Sequence, residues 1–204
     1  MADRELLMID MPTRRLVLAA GVLAADSMLR TDGSFAEGAL PATPVCHDGH
    51  EATLRQTEGP YFKPSSPERA DLLEAGISGR PLELSGYVLS RACKPLVGAL
   101  LDFWHADHDG EYDNSGFRLR GHQFSDAEGR YRLHSIVPGL YVGRTRHIHV
   151  KVQPQGGRLL TTQLYFPGEP GNHSDSLFRS ELLMRTAETA GLLAARFDFV
   201  LGSG

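Results

Sequence analysis

The sequence predicts an all-β fold, a sandwich or barrel with short helices and long loops. Three observations carry this. Apolar runs are short and recur at intervals of roughly 10 residues. Glycine, proline and aspartate separate them, and with 22 Gly and 12 Pro the chain has turn formers for every junction. Several runs alternate apolar and polar residues, the period of a half-buried strand.

The N-terminus reads Thr13-Arg14-Arg15-Leu16-Val17-Leu18 and then the apolar stretch Ala19 to Ala25. Paired arginines before a short apolar stretch suit a twin-arginine export signal. Ser34-Phe35-Ala36 offers small residues at the −3 and −1 positions of a cleavage point. Asp3, Glu5, Asp10 and Asp26 speak against it, and a disordered tail is the plain alternative. The expectation is an export signal over 1–36, a linker of small and polar residues over 37–52, and a folded domain over 53–204. Export would place the protein in the periplasm or outside the cell. Cys46 and Cys93 would then meet an oxidising compartment and form one disulfide; otherwise they are two unrelated thiols.

Gly59-Pro60 and Pro64-Ser65-Ser66-Pro67 mark loops. Glu68 to Ala75 suits a short helix ended by Gly76. Leu82 to Leu89 alternates as a strand. Ala99 to Trp104 reads as a more fully buried strand. Asp126-Ala127-Glu128-Gly129 predicts a hairpin turn into a strand from Arg130 to Leu133, and Val137-Pro138-Gly139 a further turn. His147 to Val152 alternates, and Leu159 to Phe166 is another β-prone run. Ser176 to Arg196, rich in Leu, Ala, Glu and Arg, suits a helix interrupted at Gly191. Phe197 to Leu201 closes the chain as a strand.

A formal charge of -4 leaves no basic footprint for nucleic acid. No apolar run reaches 18 residues, so no membrane span is expected in the mature form.

The strongest local signal is Arg144-Thr145-Arg146-His147-Ile148-His149-Val150. On a strand, His147 and His149 share a face while Ile148, Val150 and Val152 point the other way. Two adjacent imidazoles make a metal pair, although a lone His-x-His is more often packing or surface. Tyr141 follows the Pro138-Gly139 turn and Tyr112 follows Asp109-Gly110-Glu111, both at element ends where loops gather functional groups. Either tyrosine alone reads as a core ring with its hydroxyl bonded. Together, two phenols deprotonated beside a trivalent cation and two neutral imidazoles would suit ferric iron. A two-histidine, one-carboxylate site would instead draw on Asp107 or Asp109. His105, His108 and His122 read as structural or solvent-facing, and His47, His50 and His173 as loop residues. Trp104 reads as core rather than as a stacking platform.

Thr57 to Tyr61, Pro95 to Asp107, Asp109 to Tyr112, Leu119 to Gly121, Ser125-Asp126 with Gly129 to Tyr131, Ile136 to Tyr141 and His147 to His149 follow one another in the order seen in a known family. Over roughly 53 to 201 the chain resembles the intradiol ring-cleavage dioxygenases, which include catechol, hydroxyquinol and protocatechuate dioxygenases. The resemblance implies an immunoglobulin- or transthyretin-like β-sandwich with Fe(III) held by Tyr112, Tyr141, His147 and His149. It implies Arg144 as a pocket cation, Gln163 as a hydrogen-bond donor near the same oxygen, and Tyr141 as the ligand that leaves to take a substrate proton. Gly59, Pro60 and Tyr61 correspond to the substrate mouth. The partners implied are a catechol-type aromatic and O2, with a muconate-type diacid as product. Cys46 and Cys93 sit where a compact, secreted, single-domain branch often has a cysteine pair, and a homo-oligomer stays open. The chain departs from relatives at Val142-Gly143, where some carry a bulky aromatic, and it lacks the helical N-terminal dimer domain of the catechol and hydroxyquinol enzymes. A non-catalytic metal- or ligand-binding sandwich is the alternative.

Overall fold

The computed structural model describes Cys46 and residues 51–202. The export segment, nearly all of the linker, His47, His50 and the last two residues lie outside the described residues. Among the described residues, nine strands form two sheets. The strands are β1 (Pro81–Ser90), β2 (Leu100–Trp104), β3 (Arg120–Phe124), β4 (Arg130–Ile136), β5 (His147–Gln153), β6 (Leu160–Tyr165), β7 (Arg185–Thr189), β8 (Leu192–Arg196) and β9 (Phe199–Leu201). One sheet runs β4-β1-β8-β7 with β9 also on β1, the other β3-β2-β5-β6. The all-β sandwich expected from the sequence is what forms.

The core lies between the sheets. Leu82, Leu84 and Val88 of β1 alternate inward against Leu101 and Phe103 of β2 and Ile148, Val150 and Val152 of β5. All eight are essentially inaccessible to water. Gly86 marks where β1 changes partner. Its Cα approaches Phe197 so closely that a Cβ would lie 1.8 Å from the Phe197 carbonyl oxygen. Ladder pairing therefore breaks at Phe197–Asp198, with β8 alongside the first half of β1 and β9 alongside the second, both parallel.

Three expectations change. Ser176 to Arg196 is not a helix. It holds a short 3-10 turn (Ser180–Leu182) and the antiparallel hairpin β7–β8. Ala190 and Gly191 both take positive φ, 46° and 85°, the two-residue turn whose twist matches flanking strands. Leu193 and Ala195 face inward, so a period of two hides in a composition that favours helix; tertiary burial overrides propensity. Glu68 to Ala75 is also extended rather than helical. It straps one open side of the sandwich: Arg69 donates its amide to the His122 carbonyl of β3, and Leu72 to the His134 carbonyl of β4, each at 2.8 Å. Leu72, fully buried, anchors it.

The Asp126–Gly129 turn is real, with the Asp126 carboxylate accepting the Glu128 and Arg130 amides. It is no hairpin, however, because β3 and β4 belong to different sheets and the turn carries the chain across. The strand β3 itself was not anticipated. Its polar sequence Arg-Gly-His-Gln-Phe lacks the apolar signature because one face is covered by loops rather than by the core.

Cys46 and Cys93 form the expected disulfide, with Cα atoms 5.7 Å apart. Among the described residues, no helix is long and apolar enough to cross a membrane.

Candidate metal centre

Strand β5 presents two different faces. Ile148, Val150 and Val152 point into the core, while His147 and His149 point to the outer face of the four-stranded sheet. That outer face should be wet, yet both histidines are buried, at 4% and 3% exposure. The loops around Tyr61, Tyr112 and Tyr141 cover them.

The sheet sets the site in rows. Cross-strand partners in antiparallel pairs share a face. Arg120 of β3, Trp104 of β2, His149 of β5 and Gln163 of β6 are successive partners, so they form one line across the sheet. All four are buried. Trp104 stacks on His149, with centroids 4.8 Å apart and planes 7° from parallel. Trp104 is thus a core residue, as read from sequence, and also the platform that fixes the ring of His149.

The imidazole nitrogens converge. His147 Nδ1 donates to the Thr145 carbonyl at 2.7 Å. A carbonyl can only accept, so Nε2 keeps its bare lone pair. This Nε2 lies 3.1 Å from His149 Nε2 and 3.3 Å from the Tyr112 hydroxyl. His149 Nδ1 is buried with no partner among the described residues. Burial, and next the other histidine and the Arg144 charge, holds His149 far below its ordinary value. Burial likewise pulls His147 down to about 4. Both rings are therefore neutral, the form that ligates a metal.

The two tyrosines reach the pair through a glycine joint. Tyr112 and Tyr141 each follow a buried glycine by two residues, Gly110 and Gly139. A Cβ on Gly110 would lie 2.2 Å from the Leu140 carbonyl oxygen, and one on Gly139 2.4 Å from the Gly110 amide nitrogen. Gly139 donates its amide to the Asp107 carbonyl at 2.6 Å. The turns touch backbone to backbone, which brings the rings to 5.9 Å, edge to face. Tyr112 is buried and Tyr141 half-buried. Desolvation raises the Tyr112 phenol above its usual range, so only a strong adjacent cation would ionise it.

Tyr61, from the expected mouth segment, completes the cluster. It stacks on Tyr112 at 4.5 Å and shares a 2.9 Å hydrogen bond with the Tyr141 hydroxyl. Gly59 lies against His149, its Cβ position 3.4 Å from Cε1. Pro60 is exposed.

Arg144 is no surface ion pair. Its Nε donates to the buried Asp175 carboxylate at 2.8 Å, and its Nη2 to Gln163 Oε1 at 2.6 Å. Asp175 also accepts the Thr145 amide at 2.9 Å, so one carboxylate fixes both Arg144 and the strand entry to His147. Gln163 differs from its expected part. Its amide oxygen accepts from Arg144, and its Nε2 donates to the Thr57 carbonyl at 3.0 Å. It orients the arginine and ties down the mouth segment. Sequence reasoning missed Asp175 because it lies 28 residues past His147 in a loop without pattern. Trp104 could have been found from its register with the His-x-His strand.

The carboxylate alternative has no geometry behind it. Asp107 Oδ1 accepts the amides of Asp109 and Glu111 in its own turn, and Asp109 pairs with exposed His108. Asp107, His108 and Asp109 cluster within 4.8 Å of one another as surface groups. His105 is structural, its Nε2 at 2.7 Å from Ser135 Oγ, and His122 bonds the Ser66 backbone.

The donor set fits ferric iron: neutral imidazoles whose Nε2 atoms face each other, and phenols that need a highly charged cation to ionise. A family model described as "Dioxygenase" matches residues 57–203. The chain is 30% identical over 171 residues to a chlorocatechol 1,2-dioxygenase of Pseudomonas sp. (strain P51), covering 71% of this chain and 68% of the relative. It is 35% identical over 152 residues to catechol 1,2-dioxygenase 2 of Acinetobacter lwoffii, covering 62% of this chain and 55% of that one. Among solved structures, the dioxygenase domain of a dioxygenase carbohydrate-binding protein fusion from Streptomyces sp. SirexAA-E is 56% identical with a TM-score of 0.74, covering 76% of this chain and 100% of that chain. The 3-chlorocatechol 1,2-dioxygenase of Rhodococcus opacus is 29% identical with a TM-score of 0.70, covering 76% and 75%.

Proposed function

The chain belongs to the intradiol ring-cleavage dioxygenase family, and on that premise we propose that it is an Fe(III) enzyme cleaving a catechol-type ring with O2 to a muconate-type diacid. Tyr112, Tyr141, His147 and His149 hold the iron. The observation that carries this reading is the meeting of His149 Nε2 and the Tyr112 hydroxyl within 3.3 Å of His147 Nε2.

Bound ferric iron would supply Lewis acidity, drawing electron density from a chelating catecholate so that its ring reacts with O2. The chain's own groups do the rest. Tyr141 is the phenol free to move, being half-buried and already bonded to Tyr61. It accepts a proton from an incoming catechol hydroxyl, and Tyr61 holds the phenol so formed. Tyr112, packed under Tyr61, stays in place. Arg144, clamped by Asp175 and Gln163, offers a fixed positive charge where oxyanion character develops. Trp104 and the covering loops keep water from the His149 side. At the rim, Leu140 and Val142 are exposed, at 57% and 91%, and Val142-Gly143 stands where some relatives carry a bulky aromatic. This supports a mouth open to substituted catechols.

Export by a twin-arginine route is part of the same reading. Arg14-Arg15 and the Cys46–Cys93 disulfide support it, since disulfides persist in oxidising compartments. Cell fractionation tests it: active protein confined to the cytoplasm with residues 1–36 attached would refute export.

The test of the activity is a visible spectrum of iron-loaded protein with oxygen uptake on catechol, protocatechuate, hydroxyquinol and chlorinated catechols. A red-brown tyrosinate band and oxygen consumption are expected. A colourless iron-loaded protein would overturn the ligand set. A coloured protein that consumes no oxygen on the panel would favour the non-catalytic alternative.

A further inference from the structure

Directly behind the row that contains His149 lies a second row on the same face. His122 of β3, Asp102 of β2, Lys151 of β5 and Thr161 of β6 are successive cross-strand partners. Lys151 follows His149 by two residues, so it shares the metal-facing side of β5. None of the site chemistry uses it. An outward lysine would ordinarily stretch into water, yet its side chain is only 13% exposed.

Both of its contacts fall on the mouth segment. Its Nζ forms an ion pair with Glu58 and sits 3.4 Å from the centroid of the Phe62 ring. Glu58 immediately precedes Gly59 and Phe62 immediately follows Tyr61. One ammonium thus grips both ends of the five-residue segment that covers the metal centre. Inside that grip, Gly59 presses on His149 and Tyr61 stacks on Tyr112. Arg120 supplies a second hold from the neighbouring row, donating from Nη1 to the Tyr61 carbonyl at 2.6 Å. Asp102, across the ladder from Lys151, bonds the Ser66 hydroxyl at 2.8 Å and pins the far end of the same loop. Phe62 also packs on Trp104, with centroids 4.9 Å apart, so the grip reaches the His149 platform.

We propose that Lys151 is a positioning residue, a staple that sets how closely the Glu58–Phe62 segment lies over the catalytic iron. This rests on the ferric dioxygenase reading for its effect on catalysis, but not for its effect on the loop. Removing the charge frees both ends of the segment while every iron ligand stays on its own element. Substrate capture suffers more than iron binding. Arginine restores the staple, because a guanidinium both pairs with carboxylate and stacks on an aromatic face.

The test compares wild type with Lys151→Met and Lys151→Arg in iron-loaded protein. Amide hydrogen exchange over 57–63 is measured in parallel on metal-free samples. For Lys151→Met, KM should rise about tenfold with kcat changed less, a rough scale for a displaced substrate-positioning group. The tyrosinate colour should remain, and exchange across the segment should quicken. Lys151→Arg should recover most of both. Wild-type KM and exchange in Lys151→Met would overturn the staple, as would Lys151→Arg behaving like Lys151→Met. Should Lys151→Met not fold, exposed Glu58→Gln decides by exchange alone: quickening sustains the staple and an unchanged rate sinks it. A wild type without colour or turnover would instead defeat the ferric reading, while the exchange comparison would still judge the staple.

Discussion

The two faces of β5 are both shielded from water and chemically opposite. Ile148, Val150 and Val152 lose water to the facing sheet, whereas His147, His149 and Lys151 lose it to loops. On the inner face any apolar residue of the right volume would serve, and error there is counted in cavity space. On the outer face desolvation falls on polar atoms, which are costly to bury and must be answered by specific partners. Thr145 answers His147 and Glu58 answers Lys151, while Trp104 covers the ring of His149. Shielding on the two faces therefore serves two unlike jobs: one face holds the sandwich together, and the other holds donor atoms where a cation can gather them.

If the faces are separable, substitutions on each should fail differently. The largest effect is expected for His149→Ala. Turnover and the ferric colour should fall to background while far-UV circular dichroism stays native, and retained colour would end the division of labour. Next is Ile148→Ala. It should destabilise by about 2–5 kcal/mol, seen as a lowered thermal midpoint, while folded protein still binds iron. A similar loss of iron affinity at temperatures where it remains folded would show that the faces are coupled.

Proton linkage comes third. Burial holds His147 at about 4, against an ordinary 6.5. Above 6.5 the ring is neutral in folded and unfolded chains alike, so it contributes no pH dependence. Below 6.5 the unfolded chain takes a proton that the folded chain refuses until about 4. Stability of the metal-free protein should therefore drop across that window, by on the order of 3 kcal/mol from this residue. Urea midpoints at pH 7.5 and 5 check it, and a flat profile would contradict a neutral, buried pair. The smallest effect is for Trp104→Phe, which keeps an aromatic but loses much of the stacked area. Iron affinity should fall about 10- to 100-fold, the range for groups that orient ligands, as measured by chelator competition.

The sequence carried the inner face well and the outer face in part. Alternation in Leu82 to Leu89 and His147 to Val152 gave strands and their core sides, because burial by a sheet imprints a period of two. The candidate ligands were named from His-x-His on a strand, two tyrosines beyond turns and the family resemblance, and the fold brings those side chains together. Asp175 and Lys151 were not, since loops without periodicity bring them or their partners in. The β7–β8 hairpin was mistaken for a helix because alanine and leucine serve either state, and only the facing sheet decides between them. The bonds of Gln163 to Arg144 and to the Thr57 carbonyl were not legible, because they depend on a loop and on hydrogen-bond direction.

The contact between Gly110 and Gly139 has an evolutionary corollary. Because the two phenol-bearing turns meet with no side chain between them, their backbones are placed together, and neither turn can shift alone. A methyl group at either glycine would wedge the turns apart and displace both tyrosines together. Variation in this lineage should therefore collect at the exposed lip formed by Leu140 and Val142, leaving the joint beneath it unaltered.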